Sequence, residues 1–273
     1  MTKVAVIPDC QVKPGTDVTY LSYAGQYLVD KRPDVIVCIG DFADMESLSS
    51  YDVGKKSFEG RRYSKDIEAA HKGMEALLSP MWEFNNRARK NKEKQYKPRM
   101  VLTLGNHEDR INRAINNDSK LEGLLSINDL KYEQFGWEVY PYLEPVVIDG
   151  IAYSHFFASG ILGRPVTSAR MLLTKKHMSC VAGHQQGRDI AYATRADGTD
   201  MFGLIAGSFY EHDEAYLNPQ TNNHWRGMYF LHDVRDGSCD EMAISIKYLR
   251  QRYENKAKAV EHGSLITAED LGL

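Results

Sequence analysis

The sequence predicts an α/β fold in which helices pack around a layered sheet core. Short runs rich in Val, Ile and Leu recur along the 273-residue chain, and turn residues bound each of them. Such nearly continuous apolar runs are typical of strands that are covered on both faces. Segments with helical periodicity lie between several of these runs. A chain that alternates strands with helices in this way is typical of α/β architectures.

Seven apolar runs are predicted to be strands. In chain order they are KVAVIP (3–8), DVIVCIG (34–40), RMVLTLG (99–105), PVVIDGIAYSH (145–155), SCVAG (179–183), FGLIAG (202–207) and GMYFLHDV (227–234).

The clearest helix is predicted over residues 64–82. Its apolar side chains recur at three- and four-residue steps on one face, at Ile67, Ala70, Met74, Leu77, Leu78 and Met81. Residues 17–30 and 120–135 are weaker helix candidates. We expect residues 246–262 to begin as a strand and to finish as a charged helix, so that a C-terminal helix lies around 248–262.

Length and composition indicate one large α/β domain over residues 1–273. Hydrophobic residues make up 42% of the chain and charged residues 26%, which is an ordinary globular balance. The formal net charge of −3 excludes a strongly basic nucleic-acid binder. We expect a helical and basic insertion around 45–98. Its polar run NNRARKNKEKQYKP (85–98) is either a solvated helix end and loop or a phosphate-guiding surface near the active site.

The sequence also favours a cytoplasmic protein. No apolar segment approaches the length of a membrane span, and the N-terminal MTKVAVIPD lacks the pattern of a signal peptide. The cysteines at positions 10, 38, 180 and 239 form no CxxC pair, which favours reduced thiols.

Side chains that can bind a metal directly follow five of the predicted strands. They are Asp9 and Gln11 in PDCQ, Asp41 and Asp44 in GDFAD, Asn106, His107, Glu108 and Arg110 in GNHEDR, His155 in SH, and His184 in GH. Ligands of open α/β sheets gather beyond the carboxyl ends of strands, so we expect these side chains to converge. Carboxylates, an amide oxygen and imidazoles together suit Mn²⁺, Fe²⁺, Zn²⁺ or Ni²⁺.

The ordered series D-x-Q, GDxxD, GNHE, H and GH resembles that of the calcineurin-like metallophosphoesterase family. It spans residues 9–186, about two-thirds of the chain, and GNHE and GDFAD are its most specific parts. The versions DCQVKPG and GNHEDR resemble those of tailed phages, which would place the protein in a host cytoplasm. The resemblance implies a four-layer α-β-β-α sandwich of two mixed sheets flanked by helices, with two divalent metals at the strand ends.

The resemblance also implies the role of each metal ligand. Asp41 would bridge both metals, and Asn106, His155 and His184 would complete the second-metal site. Asp9 would bind the first metal, together with the side chains two positions after Asp9 and two positions after His184.

Those two positions carry histidine in most members of the family but glutamine here, Gln11 and Gln186. An amide oxygen is a neutral and weaker donor than an imidazole, and it favours Mn²⁺ or Mg²⁺ over Zn²⁺. We therefore expect Mn²⁺ as the cofactor, with Mg²⁺, Fe²⁺, Ni²⁺ or Zn²⁺ as alternatives, and a first site that is weak or vacant. Alternatively, the glutamines hold metal-bound water.

The expected reaction is hydrolysis of a phosphate ester by a metal-activated hydroxide. By resemblance, His107 protonates the leaving group or contacts the phosphate together with Asn106. Asp44 is placed to orient His107, with a turn cap as the alternative role. Arg110 either clamps the substrate phosphate or forms a surface salt bridge. Glu108 is predicted to be structural.

Several functions remain open from the sequence. The substrate is a phosphate ester, with nucleotides and nucleic acid among the candidates, and either a phosphatase or a phosphodiesterase fits. A DNA nuclease of the repair-exonuclease type is an alternative because of the basic run 85–98 and the phage-like details of the motifs. A non-catalytic binding scaffold of the same fold is a third reading, but a scaffold has no chemical need for the retained metal ligands and His107.

Two later segments have less definite roles. GSFYEHDEAYLN (207–218) is acidic and aromatic, and we predict a loop near the rim of the site. Trp225 either stacks on a nucleobase or packs at a sheet edge, and the second interpretation is favoured.

Overall fold

Two mixed β-sheets form the centre of the structure, a computed structural model that describes residues 2–214 and 219–261. The strands in chain order are β1 (Thr2–Ile7), β2 (Val35–Cys38), β3 (Arg99–Thr103), β4 (Glu138–Tyr140), β5 (Val146–Ile148), β6 (Ile151–Ser154), β7 (Ala158–Ser159), β8 (Arg164–Pro165), β9 (Ser179–Ala182), β10 (Arg188–Thr194), β11 (Asp200–Ala206), β12 (Gly227–Arg235) and β13 (Ser238–Ser245). The α-helices within the described ranges are α1 (Thr19–Lys31), α2 (Tyr63–Lys90), α3 (Arg110–Asn117), α4 (Ala169–Lys176), α5 (Pro219–Asn222) and α6 (Ile246–Glu261).

The strand order places the predicted motifs at matching strand ends. The first sheet has the order β13-β12-β1-β2-β3-β4, and β1, β2, β3 and β4 are parallel. The second sheet has the order β10-β11-β9-β6-β5, and β6, β9 and β11 are parallel. The remaining pairs of both sheets are antiparallel. The carboxyl ends of the parallel strands therefore meet at one edge of each sheet.

Helices cover the outer face of each sheet. One apolar core lies between the first sheet and helices α1, α2 and α6, a second between the two sheets, and a third between the second sheet and α4. The observed architecture is thus a mixed α/β sandwich, which agrees with the predicted α/β class. None of the helices in the described part of the chain is long and apolar enough to cross a membrane.

Several predicted elements need correction. The run 145–155 forms two strands, because Asp149 and Gly150 adopt φ values of 46° and 83° and turn the chain into a hairpin. Residues 120–135 contain only 3₁₀ turns at Ser119–Leu121 and Ile127–Leu130, with Gly123 at a φ of 76° between them.

The strand expected at the start of 246–262 is wrong. Residues 246–261 are helical throughout, because Ile246, Leu249 and Tyr253 recur at helical spacing and are buried against the first sheet. Residue 262 lies outside the described residues. Helix α2 also exceeds its prediction of 64–82, since it continues through Pro80 to Lys90.

The basic run 85–98 lies far from the strand ends that carry the motifs. The side chain of Asn85 forms two 2.8 Å hydrogen bonds with the backbone of Tyr96, and the Tyr96 hydroxyl donates to the Pro33 carbonyl at 2.9 Å. Pro33 precedes the amino end of β2, whereas Asp41 follows its carboxyl end. The run is thus a helix end and loop at the opposite edge of the sheet, and the phosphate-guiding interpretation is wrong.

Candidate functional site

Five strand ends deliver their predicted side chains to one place. Asp9, Asp41 and Asn106 follow β1, β2 and β3, while His155 and His184 follow β6 and β9. The hydrogen bond from the His184 backbone N–H to the Asp9 carboxylate, at 3.0 Å, joins the edges of the two sheets. Parallel strands of both sheets thereby bring residues from distant parts of the chain into contact.

Asp41, His155 and His184 form a group that could hold a metal ion. Their ligand atoms all lie within 4.8 Å of one another. Asn106 Oδ1 lies 2.9 Å from His155 Nε2 and 2.8 Å from His184 Nδ1. Asp41 Oδ2 lies 3.2 Å from His155 Nε2. All four side chains predicted for the second metal therefore come together.

Hydrogen bonding orients the imidazole of His155 toward this group. Its Nδ1 lies 3.0 Å from the carbonyl oxygen of Ile39, which can accept a proton only from an N–H, so Nε2 is left to face the cluster. Burial favours the neutral ring, but the Asp41 carboxylate outweighs it and raises the pKa of His155 to about 9. For His184, burial and the neighbouring His155 lower the pKa to about 4, which keeps that imidazole neutral and able to bind a metal.

Two carboxylates lie buried beside the imidazoles. Burial, with a smaller contribution from Asp41, raises the pKa of Asp9 to about 7, and the His155 ring only partly offsets this. Burial also acts to raise the pKa of Asp41, but His107 and His155 outweigh it and hold that pKa well below its usual range. Neighbouring buried carboxylates of this kind are stabilised by a bound cation.

The two glutamines predicted for the first-metal site differ from each other. The side chain of Gln11 is 1% exposed, and its Oε1 is buried without a hydrogen-bond partner among the described residues. In contrast, Gln186 Oε1 accepts a 2.6 Å hydrogen bond from the Tyr210 hydroxyl. A buried acceptor without a partner is costly, so the Gln11 oxygen is suited to a ligand that the protein itself does not supply.

Asp44 holds His107 in place, as the sequence predicts. Asp44 Oδ1 lies 2.8 Å from His107 Nδ1, and the backbone N–H of His107 donates to Asp41 Oδ1 at 2.9 Å. Burial acts to lower the pKa of His107, but Asp41 and Asp44 outweigh it and raise that pKa above its ordinary value. The contact with His107 gives the Asp44 side chain an orienting role rather than that of a turn cap.

Arg110 belongs to the same cluster, and it forms a buried ion pair rather than the surface salt bridge that was the second prediction. Its Nη1 donates to the Asp44 backbone oxygen at 2.7 Å and to Asp44 Oδ1 at 3.1 Å, while its Nη2 lies 3.2 Å from His107 Nε2. The side chain is only 14% exposed, so the pair is no surface salt bridge. Arg110 thus supports the Asp44–His107 pair, and its role as a phosphate clamp stays a prediction.

Glu108 joins the loops that follow β2 and β3. Its buried carboxylate accepts hydrogen bonds from the backbone N–H groups of Asp41, Ala43 and Gly105 at 2.9–3.0 Å, and from the Tyr132 hydroxyl at 3.2 Å. The predicted structural role of Glu108 is therefore confirmed.

Glycine is required at two turns that touch the carboxylates. A Cβ atom at Gly105 would lie 2.8 Å from Asp41 Cγ and closer still to its oxygen Oδ1. A Cβ atom at Gly183 would lie 3.4 Å from Asp9 Cγ and would overlap Asp9 Oδ1. The absence of a side chain at these positions lets the backbone approach the site.

Sequence reasoning missed a buried polar network that reaches the site from the loop after β11. Lys13 Nζ lies 2.8 Å from Glu214 Oε1 and 3.5 Å from Asp44 Oδ2. His212 Nε2 lies 2.6 Å from the same Glu214 oxygen, and the His212 ring stacks on Tyr210 with centroids 4.5 Å apart. The acidic, aromatic composition of 207–218 was the available signal. Residues 207–214 do lie beside the site, whereas 215–218 lie outside the described residues.

Trp225 packs within the protein rather than offering a free stacking surface. Its ring lies 5.3 Å from the ring of Tyr229 and 4.7 Å from the guanidinium of Arg188, next to the core between the sheets. The packing interpretation of Trp225 is thus confirmed.

Comparisons with known proteins add little to this description. No protein-family model matches the chain, and no curated protein matches it either. Among solved structures, the protein TT1561 of Thermus thermophilus is similar over 89% of this chain and 98% of its own, with 7% sequence identity and a TM-score of 0.38. Another solved structure is similar over 89% of this chain and 99% of its own, with 10% identity and a TM-score of 0.37. Scores this low do not show a shared fold.

Proposed function

We propose that the chain is a metal-dependent phosphoesterase of the calcineurin-like metallophosphoesterase family, with that family's four-layer α-β-β-α fold. One observation supports this above all others. Asp41, Asn106, His155 and His184 arrive from four separate strand ends, and their ligand atoms surround a common point beside His107. Chance placement of single polar residues does not produce an ordered set of this kind.

The residues fit a divalent metal. Two imidazoles, an amide oxygen and a carboxylate make up the second site, a mixed nitrogen and oxygen set that suits Mn²⁺, Fe²⁺ or Zn²⁺. Asp9, Asp41 and the unpartnered oxygen of Gln11 would make up the first site. Because these first-site ligands are all oxygens, Mn²⁺ is the cofactor that the whole set favours, with Mg²⁺ as the alternative there.

Bound divalent ions would lower the pKa of a water molecule and neutralise charge on the phosphoryl oxygens. The chain's own residues orient the substrate and move the proton. Asp44 engages His107 Nδ1, so Nε2 is the ring atom left to act on the leaving oxygen. In this structure Nε2 faces Arg110 Nη2 at 3.2 Å, and it would donate a proton to the substrate only once that contact is released. Arg110 and Lys13 both contact Asp44 and hold its carboxylate in the orientation that His107 requires.

The competing functions have weaker support. The nuclease alternative depended in part on the basic run 85–98, which lies at the opposite edge of the sheet from the candidate site. A non-catalytic scaffold would not need His107 to be held by Asp44 next to a metal-binding group.

The decisive experiment separates metal binding from proton donation. Asp41→Asn, His155→Ala and His184→Ala should each lose bound metal and thereby lose hydrolysis of p-nitrophenyl phosphate esters. His107→Ala should keep its metal, measured by mass spectrometry of the purified protein, but lose the hydrolytic rate. His232→Ala removes a partly exposed histidine of β12 and serves as the matched control.

Two outcomes would contradict the proposal. A wild-type protein loaded with Mn²⁺ or Mg²⁺ that hydrolyses neither a monoester nor a diester is not the proposed enzyme. Equal metal loss in His107→Ala and the three ligand variants would show that His107 does not have the separate role assigned to it.

A further inference from the structure

An exposed apolar turn joins β7 to β8, a short way along the chain from His155. The ladder of this hairpin has two residue pairs, and the turn between them is GILG (160–163). Ile161 is fully exposed and Leu162 is 78% exposed. The glycines on either side adopt φ values of 68° and 62°, a backbone conformation that glycine favours. The turn therefore presents two adjacent aliphatic side chains to solvent.

Contacts with the last turn of α4 hold the hairpin in place. Lys175 Nζ donates to Ser159 Oγ, and Lys176 Nζ donates to the Ala158 carbonyl oxygen, each at 2.7 Å. Both acceptors are uncharged, so neither lysine is neutralised by its contact. The aliphatic turn is thus fixed beside two positive charges.

The surface around the turn is basic. Residues 150–187 contain no Asp or Glu, although the whole chain has a formal net charge of −3. The cations of the same segment are Arg164, Arg170, Lys175 and Lys176. Within the part of the chain that the structure describes, none of them forms an ion pair with a carboxylate. Their positive charge is therefore uncompensated.

The exposed face of α4 has the same mixed character as the hairpin. The buried side chains of this helix, which pack against the second sheet, are Ala169, Leu172 and Leu173. The side chains at the exposed positions are Arg170, Met171, Thr174 and Lys175. Met171 is 42% exposed, so the helix also combines cations with an apolar side chain at its surface.

Acidic residues border this surface at the two ends of α4. At the amino end, Asp189 accepts a 2.8 Å hydrogen bond from the Ala169 backbone N–H. At the carboxyl end, Arg195 donates to the His177 carbonyl oxygen at 2.6 Å, and Asp197 follows it in the turn between β10 and β11. The uncompensated positive charge is therefore confined to the hairpin and the exposed face of α4, which together are called the α4 patch below.

We propose that the α4 patch binds the surface of an anionic phospholipid bilayer, with Ile161 and Leu162 inserted at the boundary of the acyl chains. Cations attract acidic head groups, and neighbouring apolar side chains gain by leaving water for the lipid. The proposal goes beyond the proposed hydrolysis and does not rest on it, because it concerns binding alone.

Other anionic partners fit the α4 patch less well. Residues 158–176 contain no aromatic side chain, so the bases of a single-stranded nucleic acid would find none on which to stack. A stable protein partner buries about 800 Å² on each side, more than a short turn and one face of an eight-residue helix offer. A bilayer requires only that the turn enters it and that the cations lie beside the head groups.

Phe156 connects the α4 patch to the candidate site. Its ring lies 5.0 Å from the ring of His184 and 6.0 Å from that of His155. Strand β7 begins two residues later, at Ala158. Binding of a bilayer at the hairpin would therefore bring the candidate metal site close to the lipid head groups.

Cosedimentation of the full chain with lipid vesicles tests the proposal. Vesicles of phosphatidylcholine alone are compared with vesicles of equal parts phosphatidylcholine and phosphatidylserine, each at low and at high salt. We expect binding to the vesicles that contain phosphatidylserine, little binding to phosphatidylcholine alone, and weaker binding at high salt because salt screens the attraction.

The apolar contribution is tested without a change of charge. The double variant Ile161→Ser, Leu162→Ser should weaken binding to the phosphatidylserine vesicles at least tenfold, because the aliphatic side chains no longer leave water. Leu124→Ser is the matched control, since Leu124 is 72% exposed and lies outside the α4 patch, and it should bind as the wild type does.

The charge contribution is tested at two exposed arginines. The double variant Arg164→Gln, Arg170→Gln should weaken binding by about fivefold for each cation removed. Arg87→Gln, Arg89→Gln makes the same change at exposed positions near the end of α2 and should have little effect. Thermal unfolding of all variants checks that each is folded.

Several results would overturn the proposal. They are an absence of binding to phosphatidylserine vesicles at low salt, full binding by the folded serine variant, and equal losses in the two arginine variants. Binding of DNA but not of vesicles, lost in Arg164→Gln, Arg170→Gln, would instead assign the α4 patch to nucleic acid. Self-association without vesicle binding, lost in the serine variant, would assign it to a second copy of the chain.

Discussion

Replacing Gln11 by methionine should stabilise the metal-free protein and, at the same time, weaken its first metal site. Gln11 carries the buried side-chain oxygen beside the cluster that finds no partner in the described structure. Methionine has nearly the same length and, like glutamine, is unbranched at Cβ and Cγ, so it can occupy the same space and the same backbone conformation, where φ is 42°. The exchange removes the unsatisfied acceptor but also removes the proposed ligand.

The expected changes in the free energy of unfolding and in metal affinity both follow from the loss of the Gln11 Oε1 atom. An unpaired buried acceptor costs about 1–3 kcal/mol, so the free energy of unfolding of the metal-free protein should rise by up to that amount. A domain of this size gains roughly 2–4 °C in Tm for each kcal/mol. Loss of one ligand should weaken the first metal at least tenfold, which lowers the stabilisation by saturating metal by about 1.4 kcal/mol or more.

Thermal and urea unfolding, each with chelator and with Mn²⁺, measure both effects on one protein. Gln185→Met is the matched control, because this glutamine, which precedes Gln186 in the sequence, is partly exposed and is not a proposed ligand. A metal-free Gln11→Met protein less stable than wild type would show that the oxygen is satisfied by ordered water. An undiminished stabilisation by Mn²⁺ would show that Gln11 is not a ligand.

Three further predictions concern the same site. Gln11→His should tighten binding of the first metal at least tenfold and shift the preference toward Zn²⁺, because imidazole is the stronger donor for transition metals. Histidine also tolerates the positive φ at this position. Calorimetry that detects no gain in affinity would contradict this prediction. Gly183→Ala should displace the Asp9 carboxylate and halve the metal content at saturation, so unchanged stoichiometry would refute the predicted clash. Glu108→Gln should lower the free energy of unfolding by about 2–4 kcal/mol in urea titration. The amide nitrogen would then face backbone N–H groups that now donate to the carboxylate. A change within error would show that the loops do not need this link.

The convergence of the strand ends could be predicted from the sequence because it depends on local signals. An apolar run, a glycine and a polar side chain recur at Asp41, Asn106 and His184, and parallel pairing then brings the ends together. Helix α2 and the central strands could also be predicted from the sequence. The apolar residues of α2 recur at helical spacing, and those of the strands form nearly continuous runs.

Other parts of the structure lacked such signals. Strands β10 and β13 lie at sheet edges and are largely exposed, so they carry no continuous apolar run. The contact between Lys13 and Glu214 joins residues 201 positions apart in the sequence, and no local pattern links the two segments. The unequal surroundings of Gln11 and Gln186 depend on Tyr210, which reaches the site from another loop.

The position of β1 within its sheet has a consequence for synthesis of the protein. β1 pairs with β2 on one side, but on the other side it pairs with β12, and Val6 lies opposite Tyr229, more than 200 residues later. At ribosomal rates of about 5–20 residues per second, the nascent chain must wait roughly 10–45 s before that partner emerges. During this interval one edge of β1 offers unpaired backbone groups, which are a template for pairing with other chains. The backbone carbonyl of Asp9 likewise accepts a hydrogen bond from the Phe209 N–H, which can form only after residue 209 has been synthesised. Most of the chain must therefore be synthesised before this candidate metal site can form, and the β1 edge stays without its β12 partner until then.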